Sequence, residues 1–325
     1  MKAIRYFQYG SPDVLELHDI PVPSIGPDEV LVQVRAASVN PLDWHFMRGD
    51  PYLMRLMFGL TRPKTSGLGS DFAGVVASAG SAVRGVKAGD SVFGCVSWSH
   101  GGLGSFAEYV RVPADAVRPK PASLSYEEAA AMPVAGLTAL QAFRLAGLSA
   151  GQSVLINGAA GGVGTFAVQI ARSMGADVTG VCSTGNVSLV SSLGACAVID
   201  YTSADFVQSG PYDVVLDNAG SRSLSACRRV LTKSGVLLSA TGAGGHWVGG
   251  LARVAKVSLM NPFVSQRMVV VRAEPSAEDL ASLAELVSSG SVTPFIDRTY
   301  TLDSVAKAVD YVEQGHARGK VIITV

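Results

Sequence analysis

From Glu29 to Arg35 the chain follows a period of two, with Val30, Val32 and Val34 on one face and only Leu31 apolar on the other, the pattern of a strand with one buried face. Short apolar runs bounded by glycine or serine follow at Gly74 to Gly80 and Ser91 to Gly94, and Pro12, Pro21, Pro23, Pro27 and Pro41 punctuate the same stretch. Up to residue 122 the pattern predicts an irregular, strand-rich fold. The period changes at Ser125. Ser125 and Glu128 have the Ser-x-x-Glu form of a capping box, and an alanine-rich helix running towards Met132 follows. Beyond it, Val154 to Asn157, Val178 to Cys182, Ala197 to Asp200, Tyr212 to Asp217, Gly235 to Ser239 and Met268 to Arg272 read as six short buried strands. Helices are predicted between them, at Val163 to Met174 and around Val187 to Leu193. Such alternation predicts an α/β fold with a doubly wound parallel sheet, which binds its ligand at the carboxyl ends of the strands.

After Arg272 come a helix at Ala277 to Ser288, a strand at Phe295 to Tyr300, a further helix and a final strand at Lys320 to Val325. This tail is too small to fold alone and is expected to complete the first domain. The expected organisation is a β-rich substrate domain, residues 1–122 completed by 273–325, with a dinucleotide-binding domain inserted at 123–272.

Composition narrows the function. At 325 residues the chain exceeds the usual single domain, and 48% hydrophobic against 16% charged residues suits large cores and buried parallel sheet. A formal net charge of zero offers no basic field for nucleic acid or an anionic membrane, so a small neutral partner is expected. The most apolar stretch, Ala129 to Phe143, contains Pro133 and Gly136 and is too short to span a bilayer, so no membrane insertion is expected. The opening residues lack the apolar core of a signal peptide, and Cys95, Cys182, Cys196 and Cys227 form no CxxC pair. A reducing cytoplasm is the expected compartment.

The segment from Asn157 to Gly164 joins a predicted strand to a predicted helix. Backbone N–H groups at that helix start would hold a pyrophosphate, with Gly161 allowing close backbone approach and Gly164 close helix packing. Ala159 stands where the GxGxxG pattern has its first glycine. At the end of the second strand, Cys182 to Asn186 carry no carboxylate to accept the ribose hydroxyls of NAD. Ser183, Thr184 and Asn186 are neutral donors that a 2′-phosphate tolerates, which favours NADPH.

The runs Val154 to Arg172, Ser192 to Tyr201 and Tyr212 to Gly220 resemble the quinone oxidoreductase (zeta-crystallin-like) branch of the medium-chain dehydrogenase/reductase superfamily. So do Asn40 to Asp43, Gly69 to Asp71, Gly89 with Asp90, Phe106 to Tyr109, Pro133 to Thr138 and Gly315 to Lys320, in order along nearly the whole chain. The resemblance implies a six-stranded parallel Rossmann sheet inserted into a GroES-like catalytic domain. It also implies that Ala160, Gly161, Gly162 and Val163 line the pyrophosphate, and cofactor contacts at Thr138, Ser183, Tyr201, Asn218, Ala240, Thr241, Gly242, Val269, Val270, Val271, His316 and Arg318. Ser183 and Tyr201 match positions that hold the 2′-phosphate, and Arg318 is a phosphate partner. Gly185 departs from the pattern, since many relatives have Arg or Lys there. Family habit further implies a homodimer built on the edge strand from Met268 to Arg272.

Zinc-dependent relatives carry a cysteine near Asn40 and Gly-His-Glu where this chain has Gly69, Ser70 and Asp71, and a four-cysteine lobe is missing around residues 90 to 105. His45 and His100 have no companion ligand at metal spacing, so no metal site is expected. Without a Lewis acid, an alkoxide is poorly stabilised, whereas a quinone or enone spreads the charge it receives with a hydride. Such acceptors need orientation and one hydrogen-bond donor at the developing oxyanion. Asn40 and Tyr52 are the candidate donors; Asp43 is expected to cap a turn or helix start. Trp44, Phe46, Met47, Leu53, Met57 and Trp247 supply apolar surface suited to such an acceptor. The expected activity is metal-independent, NADPH-dependent reduction of small apolar quinones or α,β-unsaturated carbonyls. A stand-alone enoyl thioester reductase and a non-catalytic NADPH-binding protein are the alternatives.

Overall fold

The computed structural model describes residues 1–96, 104–240 and 250–325. The strands and helices, in chain order, begin with β1 (Lys2–Arg5), β2 (Glu16–Asp19), β3 (Glu29–Val39), α1 (Pro41–Arg48) and α2 (Arg55–Phe58). Next come β4 (Asp71–Ala79), β5 (Ser91–Cys95), β6 (Tyr109–Pro113), β7 (Val117–Pro119), α3 (Tyr126–Ala130) and α4 (Pro133–Ala146). The central run is β8 (Ser153–Asn157), α5 (Gly162–Ser173), β9 (Asp177–Cys182), α6 (Val187–Ser192), β10 (Ala197–Asp200), β11 (Tyr212–Asp217), α7 (Leu224–Arg229), β12 (Leu231–Ser239), α8 (Gly250–Met260) and β13 (Arg267–Val270). The chain closes with α9 (Ala277–Ser288), β14 (Ile296–Thr301), α10 (Val305–Glu313) and β15 (Lys320–Thr324).

Two compact units result: Met1–Leu137 with Glu274–Ser289 and Pro294–Val325, and Thr138–Ala273 with Gly290–Thr293. The chain thus leaves its first unit and returns to it. The first crossing falls at 137/138 rather than the expected 122/123. Capping chemistry explains why α3 starts where it does: the Ser125 hydroxyl accepts from the Glu128 N–H, and the Glu128 carboxylate accepts from the Ser125 N–H. The alanine side of α3 is buried within the first unit, and α4 starts at Pro133, whose fixed φ suits a first helical position. Composition changes at 122, but the packing changes a helix later.

In the first unit a sheet runs in the order β14-β15-β3-β4-β5-β7, with β6 also paired to β3. β3 is longer than its alternating segment because, opposite β4, its other edge serves two partners, β6 along Glu29 to Gln33 and β15 along Ala36 to Val39. Register shifts against β4 between Leu31 and Val32 and between Val34 and Ala36 allow the bend that this requires. Val30, Val32, Phe72, Val92, Phe106, Val110 and Ile323 fill its core.

The second unit holds six parallel strands in the order β10-β9-β8-β11-β12-β13, the third-second-first-fourth-fifth-sixth order of a dinucleotide-binding sheet. The six expected strands are all present. β12 begins four residues before Gly235, and β13 spans Arg267–Val270, so Val271 and Arg272 lie beyond it. Leu155, Val181, Val215, Leu237 and Met268 form its core, which is why these strands read as short continuous apolar runs. No helix of the described residues is long and apolar enough to cross a membrane.

Candidate functional site

Parallel pairing brings the six strand ends of the second unit to one edge. Asn157 lies opposite Val181 and Asp217, Asp217 opposite Ser239, Ser239 opposite Val270, and Cys182 opposite Asp200. The predicted contacts in Ala160 to Gly164, Ser183 to Asn186, Tyr201, Asn218, Ala240 and Val269 to Val271 therefore sit at or just beyond neighbouring carboxyl ends. Thr241, Gly242, His100 and Trp247 lie outside the described residues. Thr138 lies on α4 in this unit, whereas His316 and Arg318 belong to the first.

The glycine loop is shaped by close approach. Gly158 has φ +83°, and its N–H and that of Ala159 both donate to the Val181 carbonyl, at 3.1 and 3.0 Å. The left-handed residue thus precedes Ala159, which explains why alanine is tolerated at the first position of the motif. A Cβ on Gly164 would meet the Gly158 oxygen at 2.1 Å and Ala159 backbone at 2.7 Å, so this glycine lets α5 close on the loop itself rather than on the sheet. A Cβ on Gly161 would meet only the Gly158 oxygen, at 3.5 Å, which leaves an open cradle above the helix start. First-turn N–H groups of α5 have no intrahelical acceptors and face that cradle's end of the helix.

Asn218 completes the fit. Its N–H donates to the Asn157 carbonyl at 3.0 Å, yet its amide nitrogen and oxygen are both buried with no partner among the described residues. A buried amide unpaired at both ends is a group waiting for a ligand. The loop, the cradle and this amide suit a dinucleotide.

Asp217 organises these strand ends. One carboxylate oxygen accepts from Asn157 Nδ2 at 2.8 Å and from the Gly220 N–H at 2.9 Å; the other pairs with the Arg253 guanidinium of α8. Arg253 also donates to Ser239 Oγ at 2.7 Å and to the Arg222 carbonyl at 3.2 Å. Cys227 packs beside Asp217, and burial pushes its thiol up to about 11, which makes it inert at neutral pH.

At the adenosine end, Cys182 to Asn186 carry no carboxylate, and the neighbouring strand brings one beside them. Asn186 Nδ2 donates to Ser183 Oγ at 3.0 Å, but Thr184 Oγ1 donates to Asp200 Oδ2 at 2.6 Å. Asp200 comes from the neighbouring strand β10, one residue before the exposed Tyr201, and the Thr184 hydroxyl and Thr202 hold its carboxyl below the usual range. Opposite Gly185 there is open space rather than a counter-charge. Arg318 is engaged by Asp297, whose carboxylate accepts its N–H at 3.0 Å and lies 3.7 Å from its guanidinium; His316 is exposed.

Asn40 and Tyr52 have different surroundings in the first unit. Tyr52 is 40% exposed, and the Arg55 guanidinium lies 4.6 Å from its ring centre. Asn40 is buried where β3 meets α1. Its Nδ2 donates to Asp71 Oδ2 at 2.9 Å, and its Oδ1 accepts from Lys320 Nζ at 2.6 Å. Asp71 also accepts from Ser38 Oγ at 2.6 Å and the Val134 N–H at 2.9 Å, and lies 3.3 Å from Lys320 Nζ. Of the apolar candidates, Phe46 and Met47 are core residues and are removed from the acceptor list, while Leu53 and Met57 are exposed. His45 Nδ1 pairs with the Asp50 carbonyl at 2.8 Å. Among the described residues, no three His, Cys, Asp or Glu side chains group as a metal site.

Asp43 caps α1 as expected, with its oxygens accepting from the Asn40 N–H at 2.7 Å and the Gly69 N–H at 3.0 Å. Complete burial raises its pKa to about 7, against those two hydrogen bonds. The folded state therefore holds this proton more tightly than the unfolded chain does. Its stabilising contribution is full below pH 4 and is lost as pH rises through about 7. Relative to Asp43→Asn, the wild type should lose about 3 kcal/mol of stability between pH 5 and 8. Urea unfolding of both proteins at the two pH values measures this, and a pH-independent difference would refute it.

The fold and the dinucleotide edge define a two-domain nucleotide-dependent oxidoreductase class, and comparison with known proteins agrees. Residues 26–122 match the alcohol dehydrogenase GroES-like domain, and residues 193–323 match the zinc-binding dehydrogenase model. The chain is 36% identical to the 2-methylene-furan-3-one reductase of Solanum lycopersicum, over 99% of this chain and 79% of that one. It is 36% identical to the mitochondrial NAD(P)H oxidoreductase RTN4IP1 of Bos taurus, over 98% and 87%. The solved quinone oxidoreductase of Coxiella burnetii superposes with a TM-score of 0.89 at 34% identity, covering 100% of this chain and 99% of that one. The chain belongs to the zinc-free quinone oxidoreductase branch of the medium-chain dehydrogenase/reductase superfamily.

Sequence reasoning missed Asp200, Asp217, Arg253 and Lys320. Only Lys320 carried a visible signal, as a lone charge opening the apolar strand from Val321 to Val325.

Proposed function

We propose that the protein reduces small quinones or α,β-unsaturated carbonyls with NADPH and without a metal. The observation that carries this reading is the dinucleotide edge, where an open glycine cradle adjoins a buried Asn218 amide with neither end paired among the described residues. When bound, NADPH supplies the hydride. The protein's part is to position and to stabilise charge. The α5 start binds the pyrophosphate, Ser183 and Thr184 bind the adenosine ribose and its phosphate, and Asn218 binds the ribose or nicotinamide. Asn40 and Tyr52 are the candidate donors to the acceptor oxygen. A hydride on the acceptor's β-carbon or quinone system leaves an oxyanion, which a proton from solvent then neutralises.

Cytoplasmic residence and a homodimer complete the proposal. β13 is an edge strand among the described residues, and an unpaired edge is a physical motive for two-fold pairing; sedimentation velocity decides between monomer and dimer.

The test is NADPH consumption by chelator-treated protein against ortho-quinones, para-quinones, enones and enoyl thioesters, with NADH in parallel. Turnover of quinones or enones with NADPH preferred is expected. Loss of all turnover on chelation, or tight NADPH binding with no acceptor reduced, would overturn the reading.

A further inference from the structure

Parallel pairing of β9 and β10 sets a carboxylate beside the place where the adenosine ribose of a dinucleotide belongs. Thr184 follows Gly164 by about 20 residues, the distance at which dinucleotide-binding chains place the side chain that meets the ribose hydroxyls. Cys182 lies opposite Asp200, so Ser183 to Asn186 leave β9 beside the turn that carries Tyr201, Thr202 and Ser203 out of β10. From Ser183 to Ser203 the chain holds one charged side chain, Asp200, and no lysine or arginine. A Cβ on Gly185 would meet nothing within 4 Å, so the position where a counter-charge would stand is open space.

Counting protons shows what this edge offers a ligand. Thr184 Oγ1 lies 2.6 Å from Asp200 Oδ2, Thr202 Oγ1 lies 2.8 Å from Asp200 Oδ1, and the two hydroxyls lie 2.9 Å apart. The Thr202 N–H also donates to Asp200 Oδ1, at 2.9 Å. A carboxylate only accepts, so the threonines reach it by donating, and both hydroxyl protons are used within this cluster. The Thr184 oxygen is left to accept. It suits a ribose hydroxyl and opposes a phosphate, which brings acceptor oxygens and negative charge. Ser183 is different. Asn186 Nδ2 donates to its Oγ at 3.0 Å, so the serine proton has no partner among the described residues and can serve a phosphate.

We propose that Asp200 sets the cofactor specificity. It turns Thr184 into an acceptor for the 2′-hydroxyl of NADH and sets a negative charge against the 2′-phosphate of NADPH, to which Ser183 still donates. The preference for NADPH is therefore narrow, with the two Kd values within about tenfold of each other. This rests on the dinucleotide site of the reductase reading above and names what decides between its two cofactors. The Thr184 hydroxyl, and after it Thr202, hold the Asp200 carboxyl below the usual range, so the charge is present at neutral pH. Asp200 is partly open to solvent, so salt screens its effect on a ligand.

Fluorescence titration with NADPH and with NADH, at low and at high salt, tests this on wild type, Asp200→Asn and Thr184→Val. Asparagine keeps the size of the side chain and removes its charge. Its amide can also donate to Thr184, which returns the threonine proton to the ligand. Asp200→Asn should tighten NADPH by about three- to tenfold, leave NADH within about twofold and keep the melting temperature. Most of that gain should vanish near about 0.5 M salt. Thr184→Val should weaken NADH by about three- to tenfold and NADPH by less. An unchanged ratio of the two Kd values in Asp200→Asn, an equal loss for both, or a wild-type preference for NADPH beyond about a hundredfold would overturn the proposal. Each of these leaves the reductase reading intact, because binding and not turnover is measured. A wild type that binds neither dinucleotide would overturn the cofactor site itself, and this role with it.

Discussion

Gly164→Ala should weaken NADPH binding by about tenfold to a hundredfold and also lower the melting temperature. The added Cβ would lie 2.1 Å from the Gly158 oxygen, a backbone atom that no rotamer change can remove. Either the first turn of α5 or the loop from Gly158 to Gly161 must move, at a cost of about 1–3 kcal/mol for overpacking. Both moves disturb the N–H groups that face the pyrophosphate. Gly161→Ala is the contrast. Its Cβ touches the protein at 3.5 Å only, so stability should hold while the methyl occupies the cradle and weakens binding. Fluorescence titration with NADPH and a thermal melt on both variants test the pair. If Gly161→Ala bound NADPH as wild type does, the cradle would not be the pyrophosphate site.

Arg253→Met is expected to be the most destabilising single change in the second unit, at about 3–5 kcal/mol. Among the described residues, the variant leaves the fully buried Asp217 carboxylate facing only Asn157 Nδ2, the Gly220 N–H and the Cys227 thiol. An uncompensated buried charge costs more than the ion pair contributed. For a unit of this size the loss corresponds to about 10 °C in melting temperature. The consequence for function follows from what Asp217 holds, since Asn157 opens the glycine loop and Gly220 closes the turn that presents Asn218. NADPH affinity should fall with stability. Adding Asp217→Asn should recover most of the lost stability, because no buried charge then remains. A double variant no more stable than Arg253→Met would show that the helix contacts of Arg253, and not the charge, were responsible.

Lys320, Arg253 and Asp200 show why part of the site was illegible in the sequence. Each draws its meaning from a partner that no local pattern can supply. The lysine reaches Asp71 across 249 residues and Asn40 across 280, and Arg253 reaches Asp217 across 36. Asp200 lies only 16 residues from Thr184, yet parallel pairing of β9 and β10 is what sets them side by side. Cys182 to Asn186 carry no carboxylate, as read, and the one beside Thr184 comes from the neighbouring strand. Phe46 and Met47 misled for a related reason: on a short helix, apolar residues that could line a pocket and those that fill the core have the same spacing.

What the sequence determined by itself is what local physics controls. Strand and helix periods, the Ser125 capping box and the Gly158 to Gly164 loop depend on neighbours within a few residues, so the order of six strands and the dinucleotide loop could be read directly. Family-specific residues at Asn40 and Asp71 further marked the site as one without the usual zinc ligands. Tertiary structure alone decided how that site is charged. Strand register brought a lysine from the end of the chain to an asparagine near its beginning, and a helix arginine to a strand-end aspartate. Electrostatic pairing in a buried site is set by distance through space, and distance through space is what a linear pattern leaves out.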